Sequence, residues 1–256
     1  RVFSFTPTSD PAKGGKLILV LLLCLVAAMA TSAIVAIVVE FVAYRRLRAK
    51  GVNRLATLIS AIGMSIALSE GMRILTDSRP VNVPRVLEKS TLFNIFDAHV
   101  RVDNVVVIVA GAVIFIMLER FIKLSRMGKA IRAVSMSEET SKLMGVNLNR
   151  VITITFAIGG LATGAAAFFY TTVYEITKFD VGFTMGIAAF TAAVLGGIGN
   201  IRGAMAGGIA LGLLETYAAA ILGTQWKAIT VFVVLILVLL FRPTGLFGEA
   251  IQTGRA

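Results

Sequence analysis

The stretch Arg126–Val151, RMGKAIRAVSMSEETSKLMGVNLNRV, runs into VITITFAIGGLATGAAAFFYTTVY (Val151–Tyr174), and the junction of the two decides the fold class. The second stretch holds 24 residues without a charge, more than the roughly 20 needed to cross a bilayer core as a helix. The first is polar and partly amphipathic. Met127, Ala130, Ile131 and Val134 fall at i, i+3, i+4 and i+7, one apolar face of a short helix. Ser135 followed by Glu138 has capping-box spacing, which predicts a second helical turn starting there and stopping at Gly145. A compact charged element between two membrane helices is built to meet another protein, although its basic character also permits an amphipathic helix on anionic lipid.

The rest of the chain agrees with a membrane protein. Apolar residues make up 57% of the 256, charged residues only 15%, and mean hydropathy is +0.88. Soluble domains carry about 25% charged residues. Leu17–Val39 and Val181–Ile201 are further uncharged runs. The expected fold is all-α, a single polytopic bundle over 1–256. Its membrane segments are expected at 17–44, 55–75, 103–123, 151–174, 182–200, 203–222 and 227–241, with 182–200 either a full span or a broken one.

Charge placement orients these segments. The loop 45–54 holds five basic residues and no acid, and 119–150 holds seven against three, whereas 76–103 has four of each sign. The positive-inside rule puts both basic loops and the C-terminus in the cytoplasm, and 76–103 and residues 1–16 outside. The net charge of +11 is concentrated in these short loops, so no nucleic-acid partner is expected.

Few residues offer chemistry. His99 is the only histidine and Cys24 the only cysteine, so no internal disulfide can form, Cys24 has no metal-ligand company, and no catalytic constellation stands out. No G-x-x-x-x-G-K-[ST] loop occurs, so nucleotide hydrolysis by that device would belong to a partner. Intramembrane charges are functional candidates by default. Glu40 has Arg45 and Arg46 nearby for an interfacial ion pair, and Glu70 has Arg73 at i+3. Glu215 has no basic residue within one turn, which leaves a pathway role or simple solvation near the surface.

Glycines repeat at four-residue spacing (Gly160 and Gly164; Gly199, Gly203 and Gly207; Gly208 and Gly212), which lets helix backbones approach closely in lipid. Gly196, Gly197 and Gly199 fall within four residues and predict a helix break. That break is either a gate or pathway lining, or a tight interfacial turn.

Several blocks together carry a family resemblance: MGKAIRAVSMSEETSKLMGVNLNRV (127–151), TFAIGG (155–160), AAVLGGIGNIRGAMAGGIALGLLE (192–215), FRPTGLFGE (241–249) and, upstream, EFVAYRRLR (40–48). The chain resembles permease subunits of bacterial branched-chain amino acid ABC importers. Arg46 and Arg202 stand where the family often has proline, and the further N-terminal spans of family members have no counterpart here, so missing upstream sequence is expected. The resemblance implies a type II ABC importer permease in the bacterial inner membrane. It implies two cytoplasmic ATPase subunits, a homologous second permease and a periplasmic substrate-binding protein as partners. The chain would bind no cofactor, ATP and Mg being used by the ATPase subunits. Met127, Gly128, Ile131, Arg132, Ala133, Val134, Glu138, Glu139 and Gly145 would form the ATPase-coupling element, with the apolar residues inserted in a groove and the charges setting register. Urea or short amides remain open as substrates. An ion-coupled secondary transporter and a non-transporting scaffold are alternatives of other classes.

Overall fold

The computed structural model describes residues 15–49, 54–83, 91–95, 98–242 and 244–248. The expected external stretch 1–14 and part of the basic loop 45–54 lie outside them. The chain divides into two compact units, Arg1–Phe179 and Asp180–Ala256.

The first unit begins with α1 (Gly15–Val39), which continues through a π-helical turn (Glu40–Tyr44) into α2 (Arg45–Ala49). Helix α3 (Arg54–Leu75) follows, then α4 (Val102–Leu124), α5 (Arg126–Met136), α6 (Glu138–Leu143) and α7 (Leu148–Tyr174). The dominant packing is α1 against α7. A Cβ on Gly160 would lie 2.7 Å from Ala33 Cα and 2.9 Å from the Ala36 methyl, and one on Gly164 would lie 2.7 Å from Met29 Cα. Small residues one turn apart thus bring two backbones into contact where van der Waals packing must hold helices together.

The π turn has a clear occupant. Glu40 is fully buried, receives a hydrogen bond from Arg48 Nη2 at 2.8 Å and another from Thr153 Oγ1 of α7 at 3.1 Å. This corrects the expectation of an interfacial pair with Arg45 or Arg46. The wider π turn carries residue i+8 back toward the face of residue i, so Arg48 reaches the carboxylate while the Arg45 guanidinium stacks 4.7 Å from the Phe41 ring. The other anticipated pair, Glu70 with Arg73, is present.

Between α3 and α4 the chain makes short strands that hydrophobic periodicity did not announce. β2 (Thr91–Ile95) pairs antiparallel with β3 (Ala98–Arg101), setting His99 opposite Asn94, and β1 (Val81–Asn82) pairs with β4 (Ile176–Thr177) beyond α7.

The second unit contains α8 (Val181–Gly196), α9 (Ile201–Leu222), a 3-10 turn (Thr224–Trp226) and α10 (Lys227–Phe241). Leu195, Leu211 and Val231, one from each α-helix, form its buried core. Each of the seven anticipated segments overlaps a helix, although 182–200 runs four residues past the end of α8. Among the described residues five helical stretches are long and apolar enough to cross a membrane: Leu19–Arg48, Val102–Leu124, Leu148–Tyr174, Ile201–Leu222 and Thr224–Phe241. Helix α8, at 16 residues, is about 24 Å long, short of the ~30 Å hydrocarbon core.

Candidate functional site

The polar element between α4 and α7 is built from helices with almost no linker. Ser125 is the single residue between α4 and α5, and its Oγ accepts from Gly128 N at 2.8 Å, satisfying one orphan donor of the new helix. Gly128 is buried, and any Cβ there would collide with the backbone of Ile122. The turn back onto α4 is therefore tight enough to require glycine. Arg132 Nη2 donates to the Lys123 carbonyl at 3.3 Å, satisfying a C-terminal acceptor of α4.

Ser137 both ends α5 and starts α6, its Oγ accepting from Thr140 N at 3.2 Å. This shifts the anticipated cap by two residues. Ser135 lies inside α5, where its hydroxyl donates to the Arg132 carbonyl at 2.8 Å, so the Ser135–Glu138 capping box does not form. The stop at Gly145 does form. Gly145 has φ +81°, its N–H bonds the Lys142 carbonyl at 3.0 Å, and Val146 N bonds the Ser141 carbonyl at 3.0 Å. That double bond pattern is a Schellman motif. Asn147 then caps α7, its Oδ1 accepting from Arg150 N at 3.1 Å. Every junction from Ser125 to Asn147 is pinned by a side-chain cap or a left-handed glycine.

Within the element the expected coupling residues divide by exposure. Met127, Ala130, Ile131 and Val134 are half-buried, in a helix that packs on α4 and α7. Arg132, Ala133, Glu138, Glu139 and Gly145 are exposed. The large apolar side chains that stand free are Met136, Leu143 and Met144, 89%, 87% and 78% exposed. Periodicity could not find them, because they lie off the i, i+3, i+4, i+7 stripe. Their signal is their position at the ends of two short helices whose stripe is already used.

The glycine cluster in the second unit is a packed junction. Gly196 is buried, and a Cβ there would meet the Gly203 backbone; one on Gly207 would meet Ala192 and Gly196. Gly197 (φ +106°) and Gly199 (φ +97°) form the turn between α8 and α9. The segment after α10 folds back over it. Leu246 N donates to the Leu195 carbonyl at 2.8 Å, Phe247 N to the Gly196 carbonyl at 3.1 Å, and Asn200 Nδ2 to the Phe247 carbonyl at 3.0 Å. Gly196, Gly197 and Gly199 thus form the helix break that their spacing predicts, as a packed turn covered by the segment after α10. Glu215 is half-buried on α9, about 18 Å along the helix from Gly203, so it is not brought to the glycine turn. Among the described residues no group of acidic, histidine or cysteine side chains could hold a metal ion.

Long apolar helices, glycine-mediated helix contacts and one capped extramembrane element define a polytopic, almost entirely helical integral membrane protein. Comparison with known proteins sharpens the class. Residues 6–239 match the family model of the permease component of branched-chain amino acid transport systems, and the chain belongs to that family. Among curated relatives, BraD of Pseudomonas aeruginosa, a high-affinity branched-chain amino acid transport system permease protein, is 43% identical over 214 residues, covering 82% of this chain and 69% of BraD. LivH of Escherichia coli K12 and of Salmonella typhimurium, permease proteins of the same description, are 40% identical over the same shares. No solved structure matches the chain at a significant level.

Proposed function

We propose that this chain is a permease subunit of an ATP-driven importer that moves branched-chain amino acids across the bacterial inner membrane. The observation that carries the reading is the Ser125–Asn147 element, capped at every junction and clamped between two spans. An importer driven by a separate ATPase needs a rigid part that transmits motion from that ATPase into the membrane helices. A lipid-surface helix would instead turn its apolar stripe to the membrane, whereas here that stripe is spent on α4 and α7 and apolar knobs stand away from it.

Two ATPase subunits dock on this element from the cytoplasm, and ATP and Mg are used there, the permease itself binding no cofactor. Met136, Leu143 and Met144 serve as docking anchors, while Glu138 and Glu139 set electrostatic register. Arg132, with its hydrogen bond to Lys123, and Gly128 and Gly145 shape the lever. A homologous second permease completes the membrane part, and a periplasmic binding protein delivers substrate. The basic loops 45–54 and 119–150 and the C-terminus face the cytoplasm. Leucine, isoleucine and valine suit helices lined by Gly, Ala and Thr, which offer an apolar surface with sparse hydroxyls.

The test is uptake by the complete transporter in proteoliposomes. Labelled leucine is expected to accumulate only with ATP inside the ATPase compartment, with competition by isoleucine and valine but not by urea or acetamide. Uptake driven by a proton or sodium gradient without ATP would overturn the reading.

A further inference from the structure

At the base of the first unit a cavity of about 380 Å³ is lined by Arg45, Arg48, Lys142, Asn147, Leu148 and Asn149. Three elements contribute: α2, α6 and the first turn of α7. Three of the six lining side chains are cationic and none is acidic. Arg48 is neutralised from below by buried Glu40 at 2.8 Å, which fixes the guanidinium in place. Arg45 is steadied over Phe41. Among the described residues neither Arg45 nor Lys142 has an acidic partner, so two positive charges converge on the cavity without compensation. Asn147 Oδ1 is spent on Arg150 N, which leaves its amide N–H₂ as a donor. The three cations and the Asn147 amide thus present donors to the cavity.

Position selects the occupant. The cavity lies where the membrane stretch Leu19–Arg48 ends and the stretch Leu148–Tyr174 begins, which is headgroup depth. Basic pockets between membrane helices at this level bind anionic headgroups, and planar guanidinium groups bind phosphate oxygens with directed pairs of N–H donors. We infer that the Arg45–Arg48–Lys142 cavity is a binding site for a phosphate-bearing anion, with the phosphodiester of an anionic phospholipid as its occupant. An anion there bridges α2, α6 and α7, and so ties the polar element to the first span. The inference uses none of the transport reading, and it stands or falls separately from it.

The test measures binding to the complete, detergent-solubilised transporter. Dihexanoyl phosphatidylglycerol, dihexanoyl phosphatidylcholine and inorganic phosphate serve as separate probes. Each cation near an anionic headgroup contributes about fivefold to affinity. Phosphatidylglycerol is therefore expected to bind about fivefold more weakly to Lys142→Gln and about 25-fold more weakly to Arg45→Gln/Lys142→Gln. Phosphatidylcholine, with no net charge, is expected to bind far more weakly to the unsubstituted protein. Inorganic phosphate binding with the same losses supports the site and names a free anion as its occupant. The absence of binding by either anion overturns the proposal, as does equal binding in the double variant. Loss of ATPase subunits from the double variant, with no anion bound by the unsubstituted protein, makes the cavity a protein contact and also overturns it. Should the variants fail to assemble, salt titration of the unsubstituted protein decides, since binding must weaken as ionic strength rises.

Discussion

Glu40 shows what a single buried charge requires. The carboxylate is fully enclosed, with Arg48 and Thr153 as its hydrogen-bond partners. Removing one partner of a buried pair leaves an uncompensated charge, which costs about 3–5 kcal/mol, whereas removing both charges costs much less. Arg48→Ala is therefore expected to lower the thermal unfolding midpoint in detergent sharply, and Glu40→Gln/Arg48→Ala to recover most of the loss. Equal midpoints for the single and double variants would contradict the pairing. Gly145 makes a second case, because its φ of +81° lies in the left-handed region. A β-branched side chain there adds about 1–2 kcal/mol of strain, so Gly145→Val is expected to lower the unfolding midpoint and to speed proteolysis between α6 and α7. The glycine stop was legible in the sequence, since only glycine relieves that strain cheaply. The partner of Glu40 was not, because i+8 pairing needs a π turn that no residue pattern announces.

At the scale of the element, Ser125–Asn147 divides its apolar residues into two sets with opposite tasks. Met127, Ile131 and Val134 are half-buried in a helix packed on α4 and α7, whereas Met136, Leu143 and Met144 are exposed. Exchange of the exposed set for serine is expected to abolish co-purification of the ATPase subunits while leaving the unfolding midpoint within a degree or two. Exchange of Ile131 and Val134 for alanine should do the reverse, lowering the midpoint with ATPase association retained; burial of each deleted methylene is worth about 0.8 kcal/mol. The opposite assignment of effects would place docking on the periodic stripe. Helical spacing made that stripe visible, but it says only that one face is covered, not by what. The caps illustrate the same limit. Ser135 and Ser137 both precede acidic residues, and packing of α5 rather than local chemistry decides that Ser137 ends it. Likewise the glycine cluster at Gly196–Gly199 foretold a break, while its cover by Leu246 and Phe247 depends on a segment about fifty residues away.

For the molecule as a whole, the orientation expected from charge asymmetry is tested with a single-cysteine strategy. Cys24 is exposed on α1 within the Leu19–Arg48 stretch, so in a bilayer it is shielded from a membrane-impermeant maleimide. The natural chain should remain unlabelled in intact cells and in inverted vesicles alike. Lys142→Cys is expected to react only in inverted vesicles and Lys178→Cys only in intact cells, because α7 separates them. Labelling of both from the same side would remove α7 from the membrane.

The sequence alone determined that this is a polytopic helical membrane protein and where its long apolar helices lie, and its charge asymmetry carries the expectation for how the basic loops face. Those properties follow from run length, composition and charge, which are sums over local residues. It also carried the family, through short blocks spread in fixed order along the chain. Only tertiary structure decided which apolar residues of the polar element stand most exposed, which cation answers Glu40, and which segment covers the glycine turn. It also brought Lys142 to Arg45 and Arg48, which lie about a hundred residues earlier in the chain, around one cavity. Each of those outcomes depends on residues distant in sequence meeting in space, a property that no local pattern contains.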